Sequence, residues 1–219
     1  MKKFLVKLSF AILIGILSQN TLYAKIRLES LGEIGGGIFL PTGSDQDVAG
    51  TSPAFQLVGS IRFSSHLGAE AEFLYVPILF KQEVLSSFAH RKGTQITALT
   101  GLRITTDQFL DGEKPAVGYL SLRAGFSRIV IRSDTGIPAG SWIGRPLDEL
   151  ENPDIGSSSS TTARQKGLAL SPKFGLLFRM TNNTALDLAF HPLLIFDRGD
   201  VSTQLFFTLN FALSSWQFF

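Results

Sequence analysis

An acidic and an imidazole side chain lie close together in sequence near the end of the chain. Asp187 and His191 are four residues apart, a spacing that places two residues on one face of a β-strand. In a strand, that spacing separates them by about 13 Å, too far for the direct hydrogen bond that a general acid–base pair needs. His66 lies beside a predicted turn and His90 in a predicted loop. We therefore expect no catalytic residues and no enzymatic activity.

Metal and phosphate sites receive little support from the sequence. Asp197 and Asp200 flank a predicted turn, but two carboxylates alone do not define a metal centre. The run Gly35-Gly36-Gly37 lacks the helix and the Lys-Ser/Thr pair that follow a phosphate-binding loop. The chain contains no cysteine, which excludes a disulfide framework and a lipid anchor on a cysteine. We expect no metal and no cofactor.

Charged residues recur inside otherwise apolar stretches, and their spacing indicates a network of paired charges rather than a catalytic or metal site. Glu70 and Glu72, for example, alternate with Ala69, Ala71 and Phe73. Side chains at alternate positions of a strand share one face. Nine charged residues, five basic and four acidic, are predicted to share one such face as a charge network: Glu33, Arg62, Glu70, Glu72, Arg103, Arg123, Lys173, Arg179 and Asp187.

The same period of two residues runs through most of the chain. In residues 55–63, the odd positions are apolar or glycine and the even positions are mostly polar. This alternation is the mark of a strand with two different faces. It predicts eight strands of about 10–14 residues, longer than the five or six residues usual in soluble sheets and suited to tilted membrane strands.

The predicted connections alternate in length. Residues 64–68 and 181–184 form short turns, and residues 107–115 form an intermediate one. On the other side, residues 42–52, 81–93 and 133–167 form longer loops, with residues 197–200 as a short exception. Short turns on one side and long loops on the other are typical of outer-membrane barrels, in which the short turns are periplasmic. Both chain termini are then expected on the periplasmic side.

The first 24 residues have the pattern of a secretory signal. Lys2, Lys3 and Lys7 precede an apolar run over residues 8–17, and Ala24 ends a plausible cleavage site. That run is shorter than the roughly 20 residues of a membrane-spanning helix. We therefore predict a signal peptide over residues 1–24 and a β-barrel domain over residues 25–219.

The signal peptide also accounts for the basic excess of the chain. Its three lysines, taken from 20 basic residues, leave 17 against 18 acidic residues, a net charge of −1. Nucleic acid is therefore not an expected partner. The 19 phenylalanines and 21 glycines favour β structure with an apolar outer surface.

The orientation of the two strand faces separates a membrane barrel from a soluble one. In a soluble lipocalin-like barrel the apolar set would point inward. The lumen of eight strands is just filled by side chains, so the bulky set is too large for it. Acidic residues near the starts of upward strands and basic residues near the ends of downward strands also lie at similar depth. Buried charges need such partners, so we expect the charges inside and the apolar set facing lipid.

The predicted last strand has sequence features expected of the strand that closes a barrel. Residues 204–211 read Gln-Leu-Phe-Phe-Thr-Leu-Asn-Phe and resemble the closing-strand signal of bacterial outer-membrane proteins. Phe206 stands where that signal usually has glycine, and Phe219 resembles its terminal aromatic residue. The residues assigned to this signal are Gln204, Leu209, Phe211 and Phe219.

The chain from residue 25 onward resembles the small eight-stranded bacterial outer-membrane barrels, the OmpA/OmpX/OmpW-like group. The run from Gly35 to Gly43 and the segment over residues 67–72 carry this resemblance. It implies an all-β, antiparallel, up-and-down transmembrane barrel in the outer membrane. The implied partners are outer-membrane lipid, lipopolysaccharide and the barrel-insertion machinery. Lipid A deacylases on this scaffold need a His and a Ser two residues apart, but Leu193 follows His191 at that spacing.

Two functions remain open at this stage. The first is a structural or surface-interaction barrel with a charge-filled lumen. The second is a narrow, porin-like transporter with a small apolar ligand, for which Phe39, Val58, Leu74, Val76 and Leu99 would line the upper lumen. Five prolines are expected near the outer rim, where they would end strands or weaken strand pairing enough for a lateral exit: Pro41, Pro53, Pro77, Pro172 and Pro192.

Overall fold

The protein is a closed antiparallel β-barrel of eight strands. The computed structural model describes residues 27–43, 45–64, 66–81, 92–106, 115–133, 161–181, 183–197 and 200–218. Each strand pairs with the next along the chain, and the last pairs with the first. The strands are β1 (Arg27–Pro41), β2 (Ser52–Arg62), β3 (Leu67–Ile78), β4 (Lys92–Thr105), β5 (Ala116–Ser133), β6 (Thr161–Arg179), β7 (Thr184–Asp197) and β8 (Asp200–Phe218).

This architecture confirms the predicted all-β class and the eight antiparallel strands. We call the end of the barrel near Arg27 and Phe218 the terminal end and the opposite end the loop end. At the terminal end, Phe63 donates its N–H to the Leu67 carbonyl across a short turn. The predicted signal peptide and Phe219 lie outside the described residues.

Four strands are longer than predicted. β1 has 15 residues, β5 has 18, and β6 and β8 have 19 each. β5 and β6 pair without interruption from Ala116↔Phe178 to Ser133↔Thr161. The predicted loop over residues 133–167 therefore loses its last seven residues to β6. The hairpin ladder continues past the apolar stretch because backbone pairing does not require apolar side chains.

A four-residue helix, α1 (Asp45–Val48), lies in the connection between β1 and β2. Asp45 is buried and accepts a hydrogen bond from the Ser202 hydroxyl at 2.6 Å. Ala49 pairs with Phe80, and both belong to the apolar cluster at the loop end of the lumen. The connection therefore packs against the loop end of the barrel interior. No helix in the described parts of the chain has the length and apolar character needed to cross a membrane.

The two faces of the strands differ as the period of two predicts. Large apolar side chains are exposed on the outer face of every strand, for example Leu122 in β5 and Ile34 in β1. The interior contains an apolar cluster at the loop end, a smaller one at the terminal end, and charged side chains between them. Phe39, Val58, Leu74, Val76 and Leu99 all point inward and are buried.

At two seams, the contacts between neighbouring strands, close backbone approach depends on glycine. The two seams lie on opposite sides of the barrel. At the β1–β8 seam, a Cβ atom on Gly37 would overlap the carbonyl oxygen of Phe207. At the β4–β5 seam, a Cβ atom on Gly101 would overlap the Leu122 carbonyl oxygen, and one on Gly125 would overlap that of Ala98. Glycine therefore allows the neighbouring backbones to approach closely at these positions.

The expectation that all five prolines lie near the outer rim is wrong for two of them. Pro41, Pro53 and Pro77 lie at or next to strand ends, but Pro172 and Pro192 lie inside β6 and β7. The β6–β7 ladder stops at Leu170↔Leu194 and resumes at Phe174↔Phe190. This register places Pro172 opposite Pro192. A hydrogen-bonded antiparallel pair exchanges two N–H···O bonds, and neither proline has an N–H, which explains the interruption.

We predict that Gly101→Ala destabilises the barrel by about 1–3 kcal/mol, because the added methyl group overpacks the β4–β5 seam. The matched control is Gly59→Ala, since a Cβ atom on the outward-facing Gly59 meets nothing within 4 Å. Urea unfolding of the refolded proteins measures both effects. Equal stability of the two variants would contradict the proposed role of glycine at this seam.

Candidate functional site: an ionic cluster in the lumen

Seven of the nine predicted network residues are buried in the barrel interior. They come from β1, β3, β4, β5, β6 and β7, and they are Glu33, Glu70, Glu72, Arg103, Arg123, Lys173 and Asp187. We call these seven residues the ionic cluster. The other two, Arg62 and Arg179, are half-buried and occupy the last positions of β2 and β6 at the terminal end.

Arg103 connects β4 to three other strands. Its Nη1 lies 2.6 Å from Oε1 of Glu33, and its Nε lies 2.5 Å from Oε2 of Glu70. Its guanidinium carbon also lies 4.2 Å from the centre of the Tyr119 ring. The planar guanidinium can hold two carboxylates and an aromatic face at once, so Arg103 ties β1, β3, β4 and β5 together across the lumen.

Arg123 forms a second centre. It donates through Nη1 to Oε2 of Glu72 and through Nη2 to the Ser171 hydroxyl at 2.8 Å. Its Nε lies 3.4 Å from Oε1 of Glu70. Glu70 is therefore shared by Arg103 and Arg123, which joins the two centres into one network.

Lys173 completes the ionic cluster. Its Nζ lies 3.5 Å from Glu72, 3.7 Å from Asp187 and 3.9 Å from Glu33. The ammonium group thus has three carboxylates around it. Since an unpaired buried charge is costly, this position explains how Glu33, Glu72 and Asp187 are tolerated together.

Three uncharged residues contribute that sequence reasoning did not assign to the network. The Tyr119 hydroxyl donates to Oδ2 of Asp187 at 2.8 Å, and the Asn210 side-chain amide donates to the same oxygen at 3.0 Å. Ser171 accepts from Arg123. All three lie at inward positions of the same period-two pattern. Selecting every polar inward residue, rather than only charged ones, would have found them.

The ionic cluster contains four carboxylates and three cations. Each of its four carboxylates lies within 4 Å of a Lys or Arg nitrogen, and each cation contacts at least two carboxylates. Such an arrangement compensates much of the cost of removing the charges from water. It links opposite walls of the barrel and occupies the terminal half of the lumen.

Above the ionic cluster, the lumen is filled by polar and then apolar side chains. Gln95 donates to the Gln204 side-chain oxygen at 2.8 Å. The rings of Phe39 and Phe206 lie 5.4 Å apart, and His191 stacks on Phe206 with ring centres 5.1 Å apart. These side chains are fully buried and close the lumen toward the loop end.

His191 and Asp187 form no hydrogen bond with each other. In the described part of the chain, neither ring nitrogen of His191 has a hydrogen-bond partner, and Asp187 bonds to Tyr119 and Asn210 instead. No group of three or more metal-ligating side chains is arranged to hold a metal ion within the residues that the structure describes.

The closing strand β8 pairs with β1 from Arg27↔Phe218 to Pro41↔Gln204. Gln204 points into the lumen, whereas Leu209 and Phe211 are exposed on the outer face. The assigned signal residues are therefore split between the two faces. Whether the insertion machinery reads them stays a prediction.

The fold and its interior define a class: a small, closed, eight-stranded barrel with an ionic lumen and an apolar outer face. No protein-family model and no curated protein matches the sequence. Solved structures do match its fold. Neisserial surface protein A has a TM-score of 0.54 at 12% identity, over 85% of this chain and 96% of that chain.

Two further structures are similar in outline. A major outer membrane protein of Thermus thermophilus has a TM-score of 0.49 at 11% identity, over 85% of this chain and 99% of that chain. The Yersinia pestis attachment invasion locus protein, Ail, has a TM-score of 0.48 at 11% identity, over 86% and 97%. By its likeness to the Neisserial protein, the chain has the fold of the small eight-stranded outer-membrane barrels, as the sequence predicted.

We predict that Arg103→Met destabilises the barrel by about 3–5 kcal/mol, because Glu33 and Glu70 lose a buried cation. Adding Glu33→Gln and Glu70→Gln should recover part of the loss, since the carboxylates left without this cation become neutral. Urea unfolding measures each variant.

The control for this series is Lys81→Met, which removes an exposed cation at the loop end and should change stability by less than about 1 kcal/mol. A loss for Arg103→Met no larger than that of the control would show that the ionic cluster does not hold the barrel together.

Proposed function

We propose that the chain is an integral outer-membrane barrel with a structural or surface-interaction role and a lumen that does not conduct. The observation that carries the proposal is the inside-out arrangement of the strands. Large apolar side chains such as Phe126 and Leu122 are exposed on the outside, while the ionic cluster is enclosed. In water the exposed set would favour aggregation. In a bilayer it meets acyl chains.

The signal pattern at the start of the sequence supports an export route. A signal peptide over residues 1–24 would direct the chain out of the cytoplasm and would be removed. The barrel-insertion machinery would then recognise the closing strand, and the short turns would face the periplasm. The name of Neisserial surface protein A describes a surface location, which agrees with this assignment for a barrel of the same fold.

The filled interior supports a role other than conduction. The salt bridges of Arg103 and Lys173 cross the lumen, and the rings of Phe39, His191 and Phe206 pack above them. A water-filled pore needs a wider or rearranged interior. The loops and the outer face then remain as the surfaces that meet lipid, lipopolysaccharide or other partners.

Membrane fractionation combined with heat-modifiable gel mobility tests the location. The expected result is a chain recovered in the outer-membrane fraction whose unboiled form migrates differently from its boiled form. A folded, monomeric chain that stays in solution without detergent would refute the membrane assignment.

We predict that the refolded protein gives no steady openings in a planar bilayer, because charged and aromatic side chains fill the lumen. A triple variant, Phe39→Ala with Phe206→Ala and Arg103→Ala, provides the positive control, since it removes the two rings and one ionic centre. Steady openings from the unmodified protein would overturn the non-conducting assignment.

The alternative function is transport of small apolar molecules, and one observation favours it. The ladder between β6 and β7 is interrupted at Pro172 and Pro192, inside the wall and beside the inward-facing Lys173 and His191. Each proline stays paired on its other side, to Leu122 in β5 and Leu205 in β8. A local interruption of this kind weakens one seam of the wall without opening the rest of it.

We predict that replacing Pro172 and Pro192 together by valine stabilises the barrel by about 1–3 kcal/mol, because two N–H donors return to the seam. Pro53→Val is the matched control, since the β2–β3 ladder already ends at Phe55↔Tyr75. Urea unfolding measures stability, and uptake of naphthalene into protein-containing vesicles measures transport. The alternative would be established if the unmodified protein and Pro53→Val take up more naphthalene than empty vesicles do and the double variant does not. It would be rejected if uptake by the unmodified protein equals that of empty vesicles.

A further inference from the structure

Among the strand residues whose side chains the structure describes, those on the outer face include few charges, and all of these have the same sign. In this described set, the charged side chains on the outward face are Lys92 in β4, Arg128 in β5 and Lys166 in β6. All three are exposed. They lie on three adjacent strands and near the same end of the barrel, the loop end. Their clustering is therefore a specific feature of one side of the outer face.

Two of these cations face each other directly. Arg128 pairs with Lys166 in the β5–β6 register, so their side chains leave the same face with Cβ atoms about 5 Å apart. Like charges at directly opposed positions destabilise a sheet. The sequences of β4, β5 and β6 contain no Asp or Glu, so these strands supply no acidic partner. An anion between the two cations would turn this repulsion into attraction.

The position of the pair relative to the apolar surface indicates what kind of anion fits. The next outward row toward the terminal end is Phe126↔Leu168, whose side chains are 73% and 48% exposed. Further apolar rows follow, with Leu122 and Leu170 exposed. The pair thus lies at the upper edge of the lipid-facing surface. A molecule with an acyl chain along Phe126 and Leu168 would place its headgroup at Arg128 and Lys166.

Lys92 extends the basic surface toward the loop end. Ile96 pairs with Arg128 across the β4–β5 seam, and Lys92 lies four residues beyond Ile96, about 13 Å along the strand. A headgroup with more than one anionic group could contact the pair and Lys92 together. Arginine favours phosphate because its donors can bind two oxygens at once, and lysine adds a point charge.

We propose that Lys92, Arg128 and Lys166 form a binding site for the phosphate groups of a phosphorylated glycolipid in the outer leaflet. The inference rests on the proposed function, since it requires the loop end to face the outside of an outer membrane. It adds to that function the chemical class of the partner and the three side chains that bind it.

The test titrates the refolded full-length protein in detergent with bisphosphorylated lipid A and with the same lipid after removal of both phosphates. Native mass spectrometry measures the bound fraction. The double variant Arg128→Gln with Lys166→Gln should bind the phosphorylated lipid about tenfold more weakly, equivalent to about 1.4 kcal/mol. The control Lys81→Gln removes the exposed cation that follows β3 at the loop end and should bind as the unmodified protein does.

Heat-modifiable mobility of each sample separates this proposal from the proposed function. A variant that folds normally but binds the phosphorylated lipid as tightly as the unmodified protein overturns the lipid site and leaves the barrel assignment intact. Equal binding of the dephosphorylated lipid also overturns it. Preferential binding of a soluble sulfated polysaccharide through the same two cations would identify a polyanion partner and reject the lipid.

Discussion

The pairing of buried charges around Arg103, Arg123 and Lys173 is the interaction on which the rest of the structure depends. Ionic side chains occupy the interior only because each carboxylate has a cation within 4 Å. Because these side chains fill the terminal half of the lumen, most large apolar residues of the same strands at that depth lie on the outside. The apolar exterior, on which the proposed membrane location rests, follows from where the charges are neutralised.

Closure of the barrel is the second constraint, since a strand edge in hydrocarbon would leave backbone groups without partners. β8 meets this requirement by pairing with β1 over the whole length of that strand. Gly37 and Gly101 allow the close backbone approach at two opposite seams. The seam at Pro172 and Pro192 is the exception within the described ladders of the wall. β2 and β6 both contain a Ser-Pro-X-Phe sequence, at residues 52–55 and 171–174. Pro53 lies at the start of its strand, whereas Pro172 lies inside its strand, so only Pro172 interrupts a described ladder within the wall.

Much of the fold could be predicted because alternation of apolar and charged residues reports directly on strand faces. This pattern puts Glu70, Glu72 and Arg103 on one face, and the small lumen of eight strands then places that face inside. The number of strands follows from the number of alternating stretches. Strand ends were less predictable, since β5 and β6 continue beyond the apolar surface where no pattern marks them. The opposition of Pro172 and Pro192 depends on hairpin register, which alternation does not determine. Tyr119 was missed as a partner of Asp187 because its hydrogen bond joins the non-adjacent strands β5 and β7 across the lumen. Asn210 was missed because only the β7–β8 register places it directly opposite Asp187.

The chain has no cysteine, so single cysteines can report on each face without interference. The most direct measurement attaches a fluorophore at each position from 119 to 126 of β5 in turn and records quenching by brominated lipid in vesicles. Strong quenching at the even positions and weak quenching at the odd positions, including Arg123, is the predicted result. Quenching that is uniform, or stronger at the odd positions, would contradict an interior of paired charges and an exterior that faces lipid.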